Sequence, residues 1–253
     1  MKIKDSFRSQ KNIWSRLLCV RMALRNVIYI SYAVPTKILQ TSVPSFLSLA
    51  TLNDDIAFVS LVILQSSQVR LSSFPVIKFS YNQCNIRTYV IDPVSGQPAV
   101  YFIRSGVTSR VISLATGTIG IPWEFIELTT NLDVSKGIRS SSIFGDWKGP
   151  LFIRVQSSGS VPPVPLFFQD STSAVNFLIR PLIGFAGDER RLMRFTIRHP
   201  EVQPESWALM ELDCPLFKKL VPIDDFKNPH SIFYLPTADF SIYLPPRKIK
   251  KKE

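Results

Sequence analysis

The sequence has few of the residues that build covalent or metal-bound frameworks. Only three cysteines and two histidines occur in 253 residues. Cys19, Cys84 and Cys214 are widely spaced and form no CxxC pair, which argues against a disulfide framework and against a cysteine zinc site. No carboxylates cluster beside His199 or His230, so a histidine zinc site is not indicated either. We expect no metal and no cofactor, and buried reduced thiols in a cytoplasmic protein.

Long apolar runs are also missing. The longest, IAFVSLVIL, covers residues 56–64. Nine residues suit a buried strand, whereas a membrane-spanning helix needs about 20. Near the N-terminus, Arg21 and Arg25 interrupt the apolar stretch, so it reads as neither a signal peptide nor an anchor. We therefore expect no membrane span, and Met22 is an alternative start of the chain.

The net charge of +11 is concentrated at the two ends of the chain. Residues 1–25 hold seven basic residues against one acidic residue, and residues 247–253 hold five against one. We therefore predict a basic, disordered N-terminal extension over 1–21, a single domain over 22–246 and a basic tail over 247–253. No recognition motif accompanies the charge, so we expect no sequence-specific nucleic-acid binding. The oligomeric state is not indicated.

Common catalytic motifs are absent. The sequence contains no GxSxG elbow, P-loop, GxGxxG or HExxH. Lys218 and Lys219 are the one adjacent lysine pair outside the C-terminal tail. Neighbouring cations depress the pKa of a lysine and favour Schiff-base chemistry, but a solvated edge explains the pair more simply.

The residues that are abundant favour strands. The chain holds 18 Phe and 19 Pro but only 10 Gly, which is typical of short strands separated by proline-containing loops. Strands are predicted at 26–34, 56–64, 83–91, 99–105, 149–157 and 231–244, with short helices after Pro35, Ser109 and Ser171. The turn DPVSGQP predicts a hairpin between 83–91 and 99–105. This order indicates an α+β fold with a mainly antiparallel curved sheet or cone-like β-barrel.

The predicted strand at 83–91 carries an unusual polar face. Asn85, Arg87 and Tyr89 alternate with the apolar side of the strand. One interpretation is a solvated sheet face on which Arg87 pairs with an acid. The functional interpretation is a pocket in which Arg87 binds an anionic group and the other two side chains assist. Trp123 and Glu124 would add an aromatic wall and an acid.

The order of segments resembles the uncharacterised family typified by YqjF, a domain of unknown function within the acetoacetate-decarboxylase-like superfamily. The matching pieces cover about residues 22–246: RNVIYISYAVPTKILQTSVP, AFVSLVIL, YNQCNIRTYV, AVYFIRS, GIPWEF, FTIRHPE and FYLPTADFSIYLPP. The resemblance implies a single domain whose antiparallel sheet curls around a central pocket beside the strand at 83–91.

The decarboxylases of this superfamily use a Schiff-base lysine, a second lysine, two glutamates and an arginine. The arginine is similar in position to Arg25, whereas the glutamates fall on Val59 and Gln83. The Pro-Lys-Lys segment falls on residues 122–124, Pro-Trp-Glu, so both lysines are replaced. Without the amine there is no imine to accept electrons during decarboxylation. The resemblance therefore implies the fold and the pocket but argues against that reaction.

Our first hypothesis is a pocket that binds a small organic acid or related metabolite. Its predicted ligand-binding residues are Arg25, Gln83, Asn85, Arg87, Tyr89, Tyr101 and Trp123. The second hypothesis is a cofactor-free lyase or hydratase with Glu124 as the acid–base, which requires Glu124 and an arginine to converge on one cavity. The third is an interaction protein that uses its basic ends.

Overall fold

The computed structural model describes residues 19–53, 55–158, 166–223 and 225–249. The strands in these ranges are β1 (Cys19–Pro35), β2 (Ser48–Leu49), β3 (Ile56–Leu71), β4 (Phe74–Ile91), β5 (Pro98–Val107), β6 (Trp123–Phe125), β7 (Glu127–Ser135), β8 (Ile138–Asp146), β9 (Pro150–Ser157), β10 (Ile183–Gly187), β11 (Leu192–Arg198), β12 (Glu205–Asp213), β13 (Ser231–Tyr243) and β14 (Arg247–Ile249). The helices are α1 (Thr36–Gln40), α2 (Arg110–Thr118), α3 (Ser171–Leu178) and α4 (Pro215–Leu220).

The strands form one continuous, strongly curved sheet. Its order is β14-β11-β10-β5-β4-β3-β1-β13-β12-β9-β8-β7, with β2 and β6 attached to β4 and β5. The pairings are antiparallel except for β10 with β5 and β5 with β6. β11 also meets β13 over two residue pairs. This brings the sheet back on itself without making it a true barrel. The predicted α+β class is confirmed, and of the two predicted forms, a curved antiparallel sheet or a cone-like β-barrel, the structure has the curved sheet.

The predicted central hairpin is present. β4 and β5 pair antiparallel, with Thr88 opposite Tyr101, on either side of the DPVSGQP turn. In that turn both carboxylate oxygens of Asp92 accept backbone hydrogen bonds, from Val94 and Ser95. A short acidic side chain that bonds the backbone two or three residues ahead stabilises a turn of this kind.

Two of the four helices in the described ranges, α2 and α3, begin at polar caps. Ser109 precedes α2, and its hydroxyl accepts a hydrogen bond from the backbone N–H of Ile112. For α3 the cap is Asp170 rather than the predicted Ser171–Ser173 segment, because the Asp170 carboxylate accepts from the N–H of Ser173. No helix within the described ranges has the length and apolar character needed to cross a membrane.

The predicted domain boundaries at 22 and 246 need correction. Residues 19–21 belong to β1, and Cys19 is buried opposite Tyr243 of β13. Residues 247–249 form β14, which pairs with β11 and packs Ile249 against a core cluster. Residues 19–21 and 247–249 are therefore held by strand pairing, although their basic side chains suggested solvated tails in the sequence. The remainder of the predicted extension and tail, 1–18 and 250–253, lies outside the described residues.

Both faces of the central strands are buried. On one face, Ile30 of β1 and Ile86 of β4 contribute to the largest core cluster, which also includes Ile153 of β9, Trp207 of β12 and Phe217 of α4. The opposite face, inside the curve of the sheet, carries a second cluster that α3 covers. The residues that line the interior cavity belong mostly to this second face.

A bulge at Asn26 changes which residues of β1 face the interior. Asn26 has a positive φ of 49°, and the β1–β3 register shifts between Arg25 and Ile28. An extra residue in one strand reverses the alternation beyond it. Leu24 before the bulge and Val27 after it therefore both face the cavity. The Asn26 side chain fixes this bend by donating to Gln65 at 2.7 Å and by accepting from the Tyr234 hydroxyl at 2.7 Å.

Replacing Asn26 with alanine should lower the free energy of unfolding by about 2–3 kcal/mol. The change removes two hydrogen bonds, and alanine lacks the polar side chain that lets asparagine tolerate a left-handed backbone conformation. Glycine at the same position loses the hydrogen bonds without the strain, so it should cost about 1 kcal/mol less. Urea unfolding of both variants measures the difference. An Asn26→Gly variant as unstable as Asn26→Ala would show that the backbone conformation is not the constraint.

Candidate functional site

An interior cavity of about 70 Å³ lies on the concave face of the sheet. Most of its wall is apolar and comes from β1, β3, β5, β11 and β13, including Leu24, Val62, Phe102, Phe195 and Phe240. A space of this size exceeds the minimum for a single water molecule several-fold. It has room for a small molecule or a few waters.

The polar end of the cavity comes from β4. Gln83, Asn85 and Arg87 alternate along this strand and all line the cavity, each less than 9% exposed. The Gln83 amide donates to the Asn85 side-chain oxygen at 2.9 Å. The intervening residues Cys84 and Ile86 point into the core cluster on the other face. The polar row predicted from the sequence therefore faces the interior and not bulk water.

Trp123 reaches the same end of the cavity from β6. Ser105 of β5 lies between the two strands, opposite Asn85 on one side and Trp123 on the other. Residues directly opposite in neighbouring strands share a face of the sheet. Trp123 lines the cavity, and Ser105 is 3% exposed beside it.

Arg87 is a buried cation without an acidic partner in the described part of the chain. Its guanidinium donates to the Leu178 carbonyl oxygen at 2.5 Å and lies 4.9 Å from the Tyr29 ring centroid and 5.6 Å from that of Tyr89. Leu178 is the last residue of α3, where helix carbonyls carry partial negative charge. Burial raises the pKa of Tyr29, so this phenol stays neutral at pH 7. These contacts solvate the guanidinium, but none of them neutralises it.

Unpartnered polar atoms concentrate at this end of the cavity. Within the described residues, three buried side-chain atoms have no hydrogen-bond partner: Arg87 Nε, Ser105 Oγ and Trp123 Nε1. Buried polar groups are nearly always hydrogen-bonded, so each exception requires an explanation. Arg87 and Trp123 line the cavity, Ser105 lies on the strand between them, and each of the three atoms carries a hydrogen that it can donate.

Two cavity residues with polar side chains, Tyr29 and His199, were missed by the sequence interpretation. Tyr29 lines the cavity because the Asn26 bulge turns it inward. His199, which was considered only for a metal site, follows β11 and stacks on Phe240 at 5.8 Å. Its Nδ1 lies 2.8 Å from the Pro200 carbonyl oxygen. Because a carbonyl oxygen can only accept, Nδ1 is the donor of this hydrogen bond.

Three of the residues predicted to bind the ligand do not line the cavity. Arg25 is exposed on the outer face. It directly follows Leu24, which faces the cavity, and consecutive side chains of a strand point to opposite faces. The bulge begins only after Arg25 and does not change its orientation. Tyr89 lies behind Arg87, where its hydroxyl donates to the Leu178 carbonyl at 2.9 Å. The hydroxyl of Tyr101 donates to the carbonyl of Gly187 at 2.8 Å, and its ring belongs to a separate core cluster.

Glu124 does not share the cavity with Trp123. Adjacent residues of a strand point to opposite faces, and Glu124 lies in a surface depression with Trp147 and Lys148. Its carboxylate accepts from Lys148 Nζ at 2.9 Å and from Trp147 Nε1 at 3.1 Å, and it forms an ion pair with Arg104. Burial raises the pKa of Glu124, but the hydrogen bonds from Lys148 and Trp147 and the charge of Arg104 bring it below its ordinary value.

The fold is that of the acetoacetate-decarboxylase-like enzymes. An acetoacetate-decarboxylase-like enzyme from Sphingomonas wittichii RW1 superimposes with a TM-score of 0.61 at 10% identity, covering 93% of this chain and 94% of the other. The enduracididine biosynthesis enzyme MppR gives 0.57 at 11% identity, with coverage of 91% and 88%. Acetoacetate decarboxylase from Legionella pneumophila gives 0.54 at 12% identity, with coverage of 91% and 86%.

The sequence itself defines the family. Residues 21–238 match DUF2071, described as an uncharacterized conserved protein (COG2071). The chain belongs to this family, and its fold is similar to that of the acetoacetate-decarboxylase-like enzymes, as the sequence resemblance implied. No curated protein matches the sequence.

Replacing Glu124 with glutamine should lower the melting temperature at pH 7 by about 1–3 °C, the effect expected for a half-exposed ion pair in a domain of this size. Because the folded pKa is lower than the unfolded value of about 4.3, the stabilisation is present above that pH and is lost as the pH falls through the folded pKa. The deficit should therefore be present at pH 7 and should shrink as the pH falls below the unfolded value. Thermal melts from pH 3 to 7 measure it.

The matched control is Glu127→Gln, which removes a carboxylate from the same surface depression. Glu127 forms no ion pair with any described residue. An equal deficit in both variants would indicate an effect of net charge and would contradict the specific role of the Glu124 contacts.

Proposed function

We propose that the cavity binds a small organic anion, with Arg87 as the residue that holds its carboxylate. The observation that carries the proposal is the presence of three unpartnered buried donors, Arg87 Nε, Ser105 Oγ and Trp123 Nε1, on the adjacent strands β4, β5 and β6 beside the cavity. An arginine presents its donors as a planar fork that matches the two oxygens of a carboxylate. A bound carboxylate would therefore satisfy several of these donors and neutralise the buried charge.

Energetics support an anionic ligand rather than a neutral one. An ion buried without a counter-ion costs several kcal/mol, and contacts with tyrosine rings and a carbonyl recover only part of that cost. Among the described residues that line the cavity there is no aspartate or glutamate to pair with Arg87. The charge is therefore available to a ligand.

The remaining wall favours a ligand with a compact apolar body. Beyond the β4 row, the lining consists mainly of aliphatic and phenylalanine side chains. Next to the guanidinium, the Asn85 amide nitrogen and the Gln83 side-chain oxygen make no hydrogen bond within the described residues. They offer one donor and one acceptor to a second polar group, such as a keto or hydroxyl oxygen.

The structural relatives agree with this ligand class. MppR has been observed with pyruvate and with the condensation product of pyruvate and imidazole 4-carboxaldehyde. At 11–12% identity the likeness concerns the fold, so the ligand class rests on the residues of this cavity and not on those complexes.

Geometry does not favour the lyase or hydratase hypothesis built on Glu124. That carboxylate lies outside the cavity and is ionised at neutral pH, so it is poorly suited to act as a general acid there. The third hypothesis, an interaction protein that uses its basic ends, depends mainly on residues 1–18 and 250–253, which lie outside the described ranges.

Replacing Arg87 with methionine should weaken carboxylate binding roughly tenfold or more, the value expected when a charge-assisted hydrogen bond is lost. The melting temperature of the free protein should stay the same or rise, because an uncompensated buried charge is replaced by an apolar side chain of similar length. Calorimetric titration with pyruvate, acetoacetate and butanoate, together with thermal melts, measures both effects.

Arg104→Met is the matched control. Arg104 lies on the neighbouring strand opposite Ile86 and pairs with Glu124 outside the cavity. This variant should retain binding and lose a little stability. Equal affinity for the carboxylates in wild type and Arg87→Met would contradict the proposal, and so would failure of the wild type to bind any of the three.

The proposed site should not form a Schiff base. Within the described residues, no lysine lines the cavity, and Lys218 lies on α4 with its amine 3.0 Å from Asp213. A guanidinium stays protonated at neutral pH and forms no imine. Incubation with acetoacetate or pyruvate and borohydride should therefore leave the intact mass unchanged. A mass increase equal to a reduced adduct would contradict this, and peptide mapping would identify the lysine.

A further inference from the structure

A row of three arginines crosses the outer face of the curved sheet. Arg21 of β1 lies directly opposite Arg70 of β3 on one side and Ser241 of β13 on the other, and Ser241 lies opposite Arg198 of β11. Residues directly opposite in adjacent strands share a face. The four side chains therefore form one line, Arg70, Arg21, Ser241 and Arg198, that is roughly 14 Å long at the usual strand spacing.

The row lines a surface groove of about 740 Å³. Gln68, Asp239 and Tyr243 complete its polar wall. Arg21 and Arg198 are exposed and Arg70 is half-buried, so the guanidinium groups are accessible from outside. The groove thus offers three cationic forks with a serine and a tyrosine hydroxyl beside them.

The charge of this groove is not balanced by the protein. None of the three arginines forms an ion pair with a described residue, and Asp239, the single acid in the groove lining, forms none either. Like charges directly opposite each other in a sheet are destabilising. Arg21 and Arg70 stand in that relation, so the free protein holds them together at a cost in stability.

This groove is distinct from the interior cavity. Met22 and Phe240, the chain neighbours of Arg21 and Ser241, line the cavity and also border the groove, so the two sites adjoin there. The three arginines line only the groove, and His199, next to Arg198, lines only the cavity. Because successive side chains of a strand point to opposite faces, the arginines point away from the cavity. An inference about the groove therefore does not depend on the function proposed for the cavity.

We infer that the groove binds a small molecule that carries more than one phosphate. Arginine forks bond phosphate oxygens in pairs, and the Ser241 and Tyr243 hydroxyls can donate to the remaining oxygens. One phosphate fits between the adjacent arginines Arg21 and Arg70, and a further anionic group reaches Arg198 across Ser241. A single carboxylate would leave at least one of these cations unpaired.

Calorimetric titration with inorganic pyrophosphate and tripolyphosphate at constant ionic strength tests the inference. The wild type should bind both, and the double variant Arg21→Gln/Arg70→Gln should bind at least tenfold more weakly. Arg190→Gln is the control, because it removes an exposed arginine in the β10–β11 turn, outside the groove. It should bind like the wild type.

A stability measurement provides a second, independent readout. Without multivalent anions and at low salt, Arg70→Gln should raise the melting temperature by roughly 1–3 °C, because it relieves the repulsion with Arg21. With pyrophosphate present the order should reverse, since only the wild type gains stability from binding. Circular dichroism establishes that the variants are folded.

Three outcomes would overturn the inference. In the first, the wild type binds neither pyrophosphate nor tripolyphosphate. In the second, the control variant loses as much affinity as the double variant. In the third, the double variant binds as tightly as the wild type. Binding of a DNA duplex that depends on Arg21 and Arg70, without pyrophosphate binding, would assign the groove to nucleic acid instead. Binding of pyruvate in the cavity should be the same in the wild type and the double variant, so failure here is distinguishable from failure of the proposed cavity function.

Discussion

The alternation of side chains along strands that are buried on both faces is the constraint on which the rest of the structure depends. Along β4, each side chain that points into the cavity has a chain neighbour in the core cluster on the opposite face. A shift of Asn85 and Arg87 by one residue would therefore move Ile86 out of that cluster. The same rule places Trp123 in the cavity and Glu124 at the surface. The alternation along a single strand therefore determines both which side chains line the cavity and which lie on the opposite face.

Local alternation and turn residues allowed the fold class, the β4–β5 hairpin and the polar face of β4 to be predicted, whereas only the family resemblance implied that this face lines a pocket. The sequence did not reveal the bulge at Asn26, since a single asparagine in an apolar strand carries no distinctive pattern. Tyr29 was missed for this reason, because its orientation depends on a count of residues through that bulge. Arg25 was assigned to the cavity from the family resemblance, although it faces outward.

Other omissions have different physical origins. The β7–β8 hairpin, Glu127–Asp146, was not predicted, although Lys136 and Gly137 both adopt the positive φ that a tight turn requires. The arginine row could not be found in the sequence at all, since Arg21 and Arg198 are neighbours only through Ser241. No short motif encodes the pairing register of distant strands. The basic residues were therefore interpreted as parts of terminal tails and not as parts of one surface.

The pairing of the first strand with the last has a consequence for how the sheet assembles. β1 lies between β3 and β13, and Cys19 is opposite Tyr243, more than 200 residues away along the chain. Closing such a contact costs loop entropy before any pairing compensates, so high contact order slows folding. During synthesis, β1 can be paired along both of its edges only after β13 has left the ribosome. Until then one edge of β1 stays unpaired, and an unpaired strand edge is a site at which chains can associate wrongly.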